Sequence, residues 1–71
     1  MPKLYSSADI LKVLQKNGFI FVSQKGSHIK YRKQGNPILT VIIPADRKQI
    51  PTGTLNSILK QSGLSKDHFE K

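Results

Sequence analysis

Hydrophobic and polar positions alternate between two periods along this chain, and the changes of period mark its elements. Ile10, Leu11 and Leu14, with Val13 on the flank, form an apolar stripe at helical spacing. Ser6-Ser7 precedes the stripe as a cap, Asp9 suits the positive end of the helix dipole, and Asn17-Gly18 stops it. The pattern predicts a first helix over 7–17. Phe19-Ile20-Phe21-Val22 is a dense run of β-formers and predicts a strand continuing to about Gln24. Lys25-Gly26 signals a turn, His28 to Lys33 reads as a second strand, Gln34-Gly35-Asn36-Pro37 as a second turn, and Ile38 to Ile43 as a third strand. Pro44 ends the sheet and opens a polar loop, PADRKQIP, with Arg47 and Lys48 exposed and Ile50 tucked in. Thr52 or Thr54 is expected to cap a second helix. Its buried face is Leu55, Ile58 and Leu59, and Gly63 closes it. Ser65 is expected to cap a last short turn through Phe69, which packs back on the body.

The order is α-β-β-β-α, an α+β fold. The simplest layered solution sets both helices on one face of a three-stranded antiparallel meander and leaves the other face open. Side chains alternate across a strand, so Ile29 and Tyr31 point toward the helices while His28, Lys30 and Arg32 line the open face. The face of the first strand depends on its loop. A two-residue loop at Lys25-Gly26 pairs Val22 with Ile29 and leaves Phe19 and Phe21 beside the cations. One more loop residue reverses this, and burial of both rings in the core is the expected outcome.

Length and composition narrow the classes. Seventy-one residues, 1–71, are read as a single domain with a small core and no room for a large internal cavity. The absence of cysteine removes disulfides, thiolate catalysis and cysteine-containing zinc sites. The start MPKLYSS lacks an apolar signal region and no apolar run approaches a membrane span, so a cytoplasmic protein without a membrane role is expected. Twelve Lys and Arg against four Asp and Glu give a net charge of +8, which points to a polyanionic partner such as nucleic acid.

The segment QKGSHIKY then gains meaning. It sets His28 among cations on an open face with no carboxylate close in sequence. Cationic neighbours oppose a further positive charge on the ring, and a neutral imidazole can take a proton. RNA offers one on the 2′-hydroxyl beside its own phosphodiester. Its removal lets the oxygen attack phosphorus without a metal, and Lys30, Arg32 or Lys25 would stabilise the developing charge. His68, beside Asp67 and Glu70, has no ligand spacing and is read as solvent-facing. Asp9, Asp46, Asp67 and Glu70 are too scattered for a two-metal nuclease, and no cofactor is expected. Thr52-Gly53-Thr54 would place free N–H groups near a phosphate, but capping is the preferred reading.

The stretches LKVLQKNGF, VSQKGSHIKY and IPTGTLNSILKQSGLSKDHF together make the chain resemble the HicA (YcfA-like) toxins, mRNA interferases of toxin–antitoxin pairs, over nearly its whole length. The resemblance implies a double-stranded-RNA-binding-domain-like fold, with His28 of the GSH motif as catalytic residue. It also implies ribosome-independent cleavage of mRNA without a known metal requirement, a role in stress response, and a HicB-like antitoxin covering His28. DNA contact is implied only indirectly, through the antitoxin complex. Lys25, Gly26, Ser27, Lys30, Arg32, Arg47 and Lys48 are the expected RNA-binding residues. Two positions depart from relatives: Asp46 stands near where a P-x-H pattern carries histidine, and Thr52 where lysine often precedes the GTL block. The absence of a lysine cluster at the second helix start argues against double-stranded-RNA binding, and single-stranded or locally open RNA is the expected cleaved form because the 2′-oxygen must swing in line with the leaving group. The competing readings are a non-catalytic RNA-binding module and a basic domain that docks on an acidic partner.

Overall fold

The computed structural model describes residues 5–69, so Glu70, one of the four acids of the sequence, lies outside them. The elements are α1 (Ser7–Lys16), β1 (Ile20–Lys25), β2 (His28–Lys33), β3 (Leu39–Pro44), α2 (Thr52–Ser62) and a 3-10 turn, η1 (Lys66–His68). The strands form one antiparallel sheet in the order β1-β2-β3, as the α-β-β-β-α reading expects.

Helix α1 starts on a reciprocal cap: the Ser6 hydroxyl accepts from the Asp9 N–H, and the Asp9 carboxylate accepts from the Ser6 N–H, both at 3.1 Å. Gly18, at φ 90°, takes the chain out of the helix. At the other end of the fold Gly63, at φ 73°, ends α2 and donates its N–H to the Leu59 carbonyl. The expected threonine cap of α2 does not form. Pro51 is the N-cap, with extended backbone and no side chain to offer, and Thr52 and Thr54 lie inside the first turn.

Ile10 and Leu14 of α1 and Leu55 and Ile58 of α2 are buried in one core with Ile29, Tyr31, Val41 and Ile43 of the sheet. Phe19, just ahead of β1, joins them, and Ile50 and Phe69 close the ends, Phe69 against the ring of Tyr5 at 5.7 Å. Each fully buried aliphatic side chain contributes roughly 1.5–3 kcal/mol, so this one-sided core is the main source of stability. All the buried strand residues sit on the same face, which leaves the other face open.

The β1–β2 register corrects the expected turn. Lys25 pairs with His28, so the two-residue loop is Gly26-Ser27, and Lys25 belongs to the strand. Gly26 has φ 61° while Ser27 does not have positive φ, the pattern of a type II′ hairpin turn. A bulge at Val22 then shifts the pairing between Phe21 and Ser23. The two rings therefore part company. Phe19 is 2% exposed, whereas Phe21 pairs with Tyr31 on the helix-side face, meets its ring edge-on at 6.0 Å, and stays 57% exposed.

Candidate functional site: the open face and its end

Paired strand residues share a face, so the register maps the open surface rung by rung. The first rung is Lys25, His28 and Pro44; the second is Ser23, Lys30 and Ile42; the third is Ile20, Arg32 and Thr40. His28 is exposed, and its ring has no hydrogen-bond partner among the described residues. Lys25 lies beside it across the rung. Lys30 follows about 7 Å along the strand and Arg32 about 13 Å along, from the rise per residue of a β-strand. Lys25 and Lys30 therefore flank the imidazole, while Arg32 serves a more distant position. Arg32 is also partly sunk: its Nε is buried without a partner, which leaves the terminal guanidinium nitrogens to act. Lys33 has the opposite parity and turns to the helix side, its Nζ 5.9 Å from the centre of the Phe19 ring.

The hairpin turn that carries Gly26 and Ser27 is tied to the loop after β3 by the Ala45 N–H, which donates to the Ser27 carbonyl at 2.7 Å. That loop is in turn held by Ser7. The Ser7 hydroxyl donates to the Pro44 carbonyl at 2.6 Å and accepts from the Arg47 N–H at 3.0 Å, while the Ser7 N–H donates to the Arg47 carbonyl at 2.9 Å. Arg47 and Lys48 are exposed but do not lie on the open face. They line a groove with Ile29 and the start of α1, around the end of the sheet from His28. The sequence-expected residues thus form two groups, Lys25 to Arg32 on the open face and Arg47 with Lys48 at its end, joined through the Ser27–Ala45 bond. Nothing in the sequence marked Ser7, which reads as an ordinary second cap residue, as the side chain that fixes this junction.

His68 is exposed and engaged locally, its Nδ1 accepting from the Ser65 N–H at 3.1 Å. Among the described residues, no three of His, Asp and Glu gather where they could hold a metal ion, and no helix is long and apolar enough to cross a membrane.

Residues 7–64 match a family model described as HicA toxin of bacterial toxin-antitoxin. The chain belongs to the HicA toxin family. The match takes in both helices, all three strands and the junction held by Ser7, so the open face with His28 and the loop with Arg47 both lie inside the family region. Membership makes the chain the toxin side of a toxin–antitoxin pair and implies an antitoxin partner. A comparison with curated proteins returned no match.

Proposed function

We propose that this HicA-family toxin is a metal-independent endoribonuclease, an mRNA interferase of the cytoplasm, with His28 as general base. The imidazole takes the proton of a ribose 2′-hydroxyl, and the 2′-oxygen attacks the adjacent phosphorus. The bond from phosphorus to the 5′-oxygen breaks, leaving a 2′,3′-cyclic phosphate and a 5′-hydroxyl. The departing oxygen receives its proton from the imidazolium or from water, so the proton count closes. Lys25 and Lys30 hold the phosphate whose charge grows during attack, Gly26 and Ser27 let the backbone come close, and Arg32, Arg47 and Lys48 grip the strand on either side. The observation that carries this reading is the exposed, unengaged ring of His28 set between two free cations on an open face.

A HicB-type antitoxin is the proposed inhibitor, seated on the same face. Ile20, 59% exposed beside Arg32, and Ile42, 37% exposed beside Lys30, support this: aliphatic side chains stack poorly on bases but suit a protein partner that brings acids for the cations.

The test is incubation of purified protein with RNA and with DNA of the same sequence. RNA alone should be cut, with cyclic-phosphate ends, and His28→Ala should bind RNA without cutting it. RNA bound by wild type but never cut would replace the enzyme with a non-catalytic RNA-binding module.

A further inference from the structure

Around the end of the sheet from His28 lies a groove of about 400 Å³ that the cleavage chemistry does not use. Ala8, Leu11 and Ile29 give it an apolar lining, and Asp46, Arg47 and Lys48 add charge. Its volume is at the low end for a small-molecule site, enough for one nucleotide and too little for a duplex. Of the first-turn amides of α1, the Ser7 N–H is taken by the Arg47 carbonyl and the Asp9 N–H by the Ser6 hydroxyl, which leaves the Ala8 N–H. The charge available to an anion there is that of Arg47 and Lys48.

Asp46 makes the groove selective. It is the one non-glycine residue with positive φ among those described, 56°, held there by a loop whose two flanks are tied down through Ser7 and Ser27. Its carboxylate makes no ion pair or hydrogen bond among the described residues. A bare phosphate would meet repulsion from Asp46, and a cation would meet repulsion from Arg47 and Lys48. The occupant that satisfies both is an anion carrying neighbouring hydrogen-bond donors. Among nucleotides, only guanine presents two adjacent donors, N1–H and the 2-amino group, matched to the two oxygens of a carboxylate. Adenine and cytosine pair one donor with an acceptor, and uracil has a single N–H between carbonyls.

We infer that this groove binds a guanine nucleotide of the RNA strand, with Asp46 reading the base edge and Arg47 and Lys48 holding phosphate. Resting on the RNA-cleaving reading, this makes Asp46 a specificity-determining residue: cleavage favours sites with a guanosine near the scissile bond. Ala45, hydrogen-bonded to Ser27, joins the groove to the rung of His28, so a strand leaving the open face passes over the end of the sheet into it.

The probe is guanosine 5′-monophosphate, with the adenosine, cytidine and uridine monophosphates as controls. Each is titrated into isotopically labelled His28→Ala protein while the amides of Ala8, Leu11 and Asp46 are followed. The expected result is movement of these amides with guanosine monophosphate at an affinity about tenfold or more above the others, the discrimination usual for one bidentate base contact. Asp46→Asn keeps the left-handed backbone, since asparagine tolerates it well. Its amide offers one acceptor and one donor, which every base can meet (guanine through O6 and N1–H), so the guanine preference should be lost. Equal movement with all four nucleotides, no movement with any, or a guanine preference that survives Asp46→Asn would each overturn the inference. Cleavage is assayed separately on wild type. A guanine-selective groove in a protein that never cuts RNA would sink the endoribonuclease and keep the groove; cutting without base preference would do the reverse.

Discussion

His28 and Lys33 begin and end the same strand, and one step of parity separates their surroundings. His28 stands in solvent on the open face; Lys33 folds against Phe19 on the helix side. Substitution should divide them in the same way. His28→Ala is expected to lower RNA cleavage by about 10²–10⁴, the contribution of a positioned general base, and to leave the melting temperature almost unchanged because the side chain buries nothing. Lys30→Ala, which removes a cation from the same face, should cost on the order of 10–100-fold in rate. Lys33→Ala should leave the rate within about twofold and register in stability instead, through the lost contact with the Phe19 ring. Rates measured on one RNA under saturating conditions, with melting curves alongside, check all three. A Lys33 variant as slow as the Lys30 variant would contradict the assignment of faces. Ser7 makes the opposite case, a residue with little to offer chemistry and much to hold. Its hydroxyl serves the Pro44 carbonyl and the Arg47 N–H from a position 5% exposed, so Ser7→Ala strands both partly buried groups. The cost should be about 1–3 kcal/mol, a fall of roughly 5–20 °C in melting temperature for a chain of this size.

At the scale of elements, the hairpin β1–β2 determines what the open face presents. The periodicity alone located its strands to within a residue or two, and the parity of His28, Lys30 and Arg32 against Ile29 and Tyr31 followed from alternation and matches the observed pairing. The turn was legible only as a glycine near position 26. Glycine can stand first or second in a tight hairpin turn, and local sequence does not separate Lys25-Gly26 from Gly26-Ser27. The fate of the two phenylalanines was hidden for another reason: the bulge at Val22 adds one residue without disturbing an unbroken run of β-formers. Threonine before a hydrophobic run is a generic start signal and suggests a side-chain cap for α2, whereas here Pro51 already sets the entry backbone. The groove was not legible at all, being assembled from α1, β2 and the loop after β3 by backbone hydrogen bonds that no local pattern encodes. The turn yields its own prediction. A methyl group at Gly26 would meet no neighbour within 4 Å, so Gly26→Ala carries only the strain of positive φ, about 1–2 kcal/mol. Chemical denaturation should show that loss. Because His28 is the next residue but one, the rate should also drop if the turn relieves its strain by changing type, and hold if it does not; amide shifts along β2 distinguish these outcomes.

For the whole molecule the deciding quantity is charge in place rather than charge in total. The net +8 would attract any polyanion, yet Lys16 and Lys60 stand near the helix ends, away from the sheet rungs, while Lys25, Lys30, Arg32, Arg47 and Lys48 follow the open face and its end. The body measures 36 × 28 × 18 Å, thin enough for one strand of RNA to cross the face and turn over its edge. Binding of a single strand releases counterions in proportion to the phosphates neutralised, with a slope of about −0.7 per phosphate in a plot of log affinity against log salt. Five cations on the path give an expected slope of about −3 to −4. Lys30→Ala and Lys48→Ala should each reduce its magnitude by about 0.7, and Lys16→Ala and Lys60→Ala should leave it unchanged. Titration of a labelled single-stranded RNA into the His28→Ala protein over a range of salt measures the slope without cleavage interfering. A slope near −6, lowered alike by all four substitutions, would mean that the RNA samples the whole basic surface and has no path, and the division of cations drawn from the sheet register would then fail.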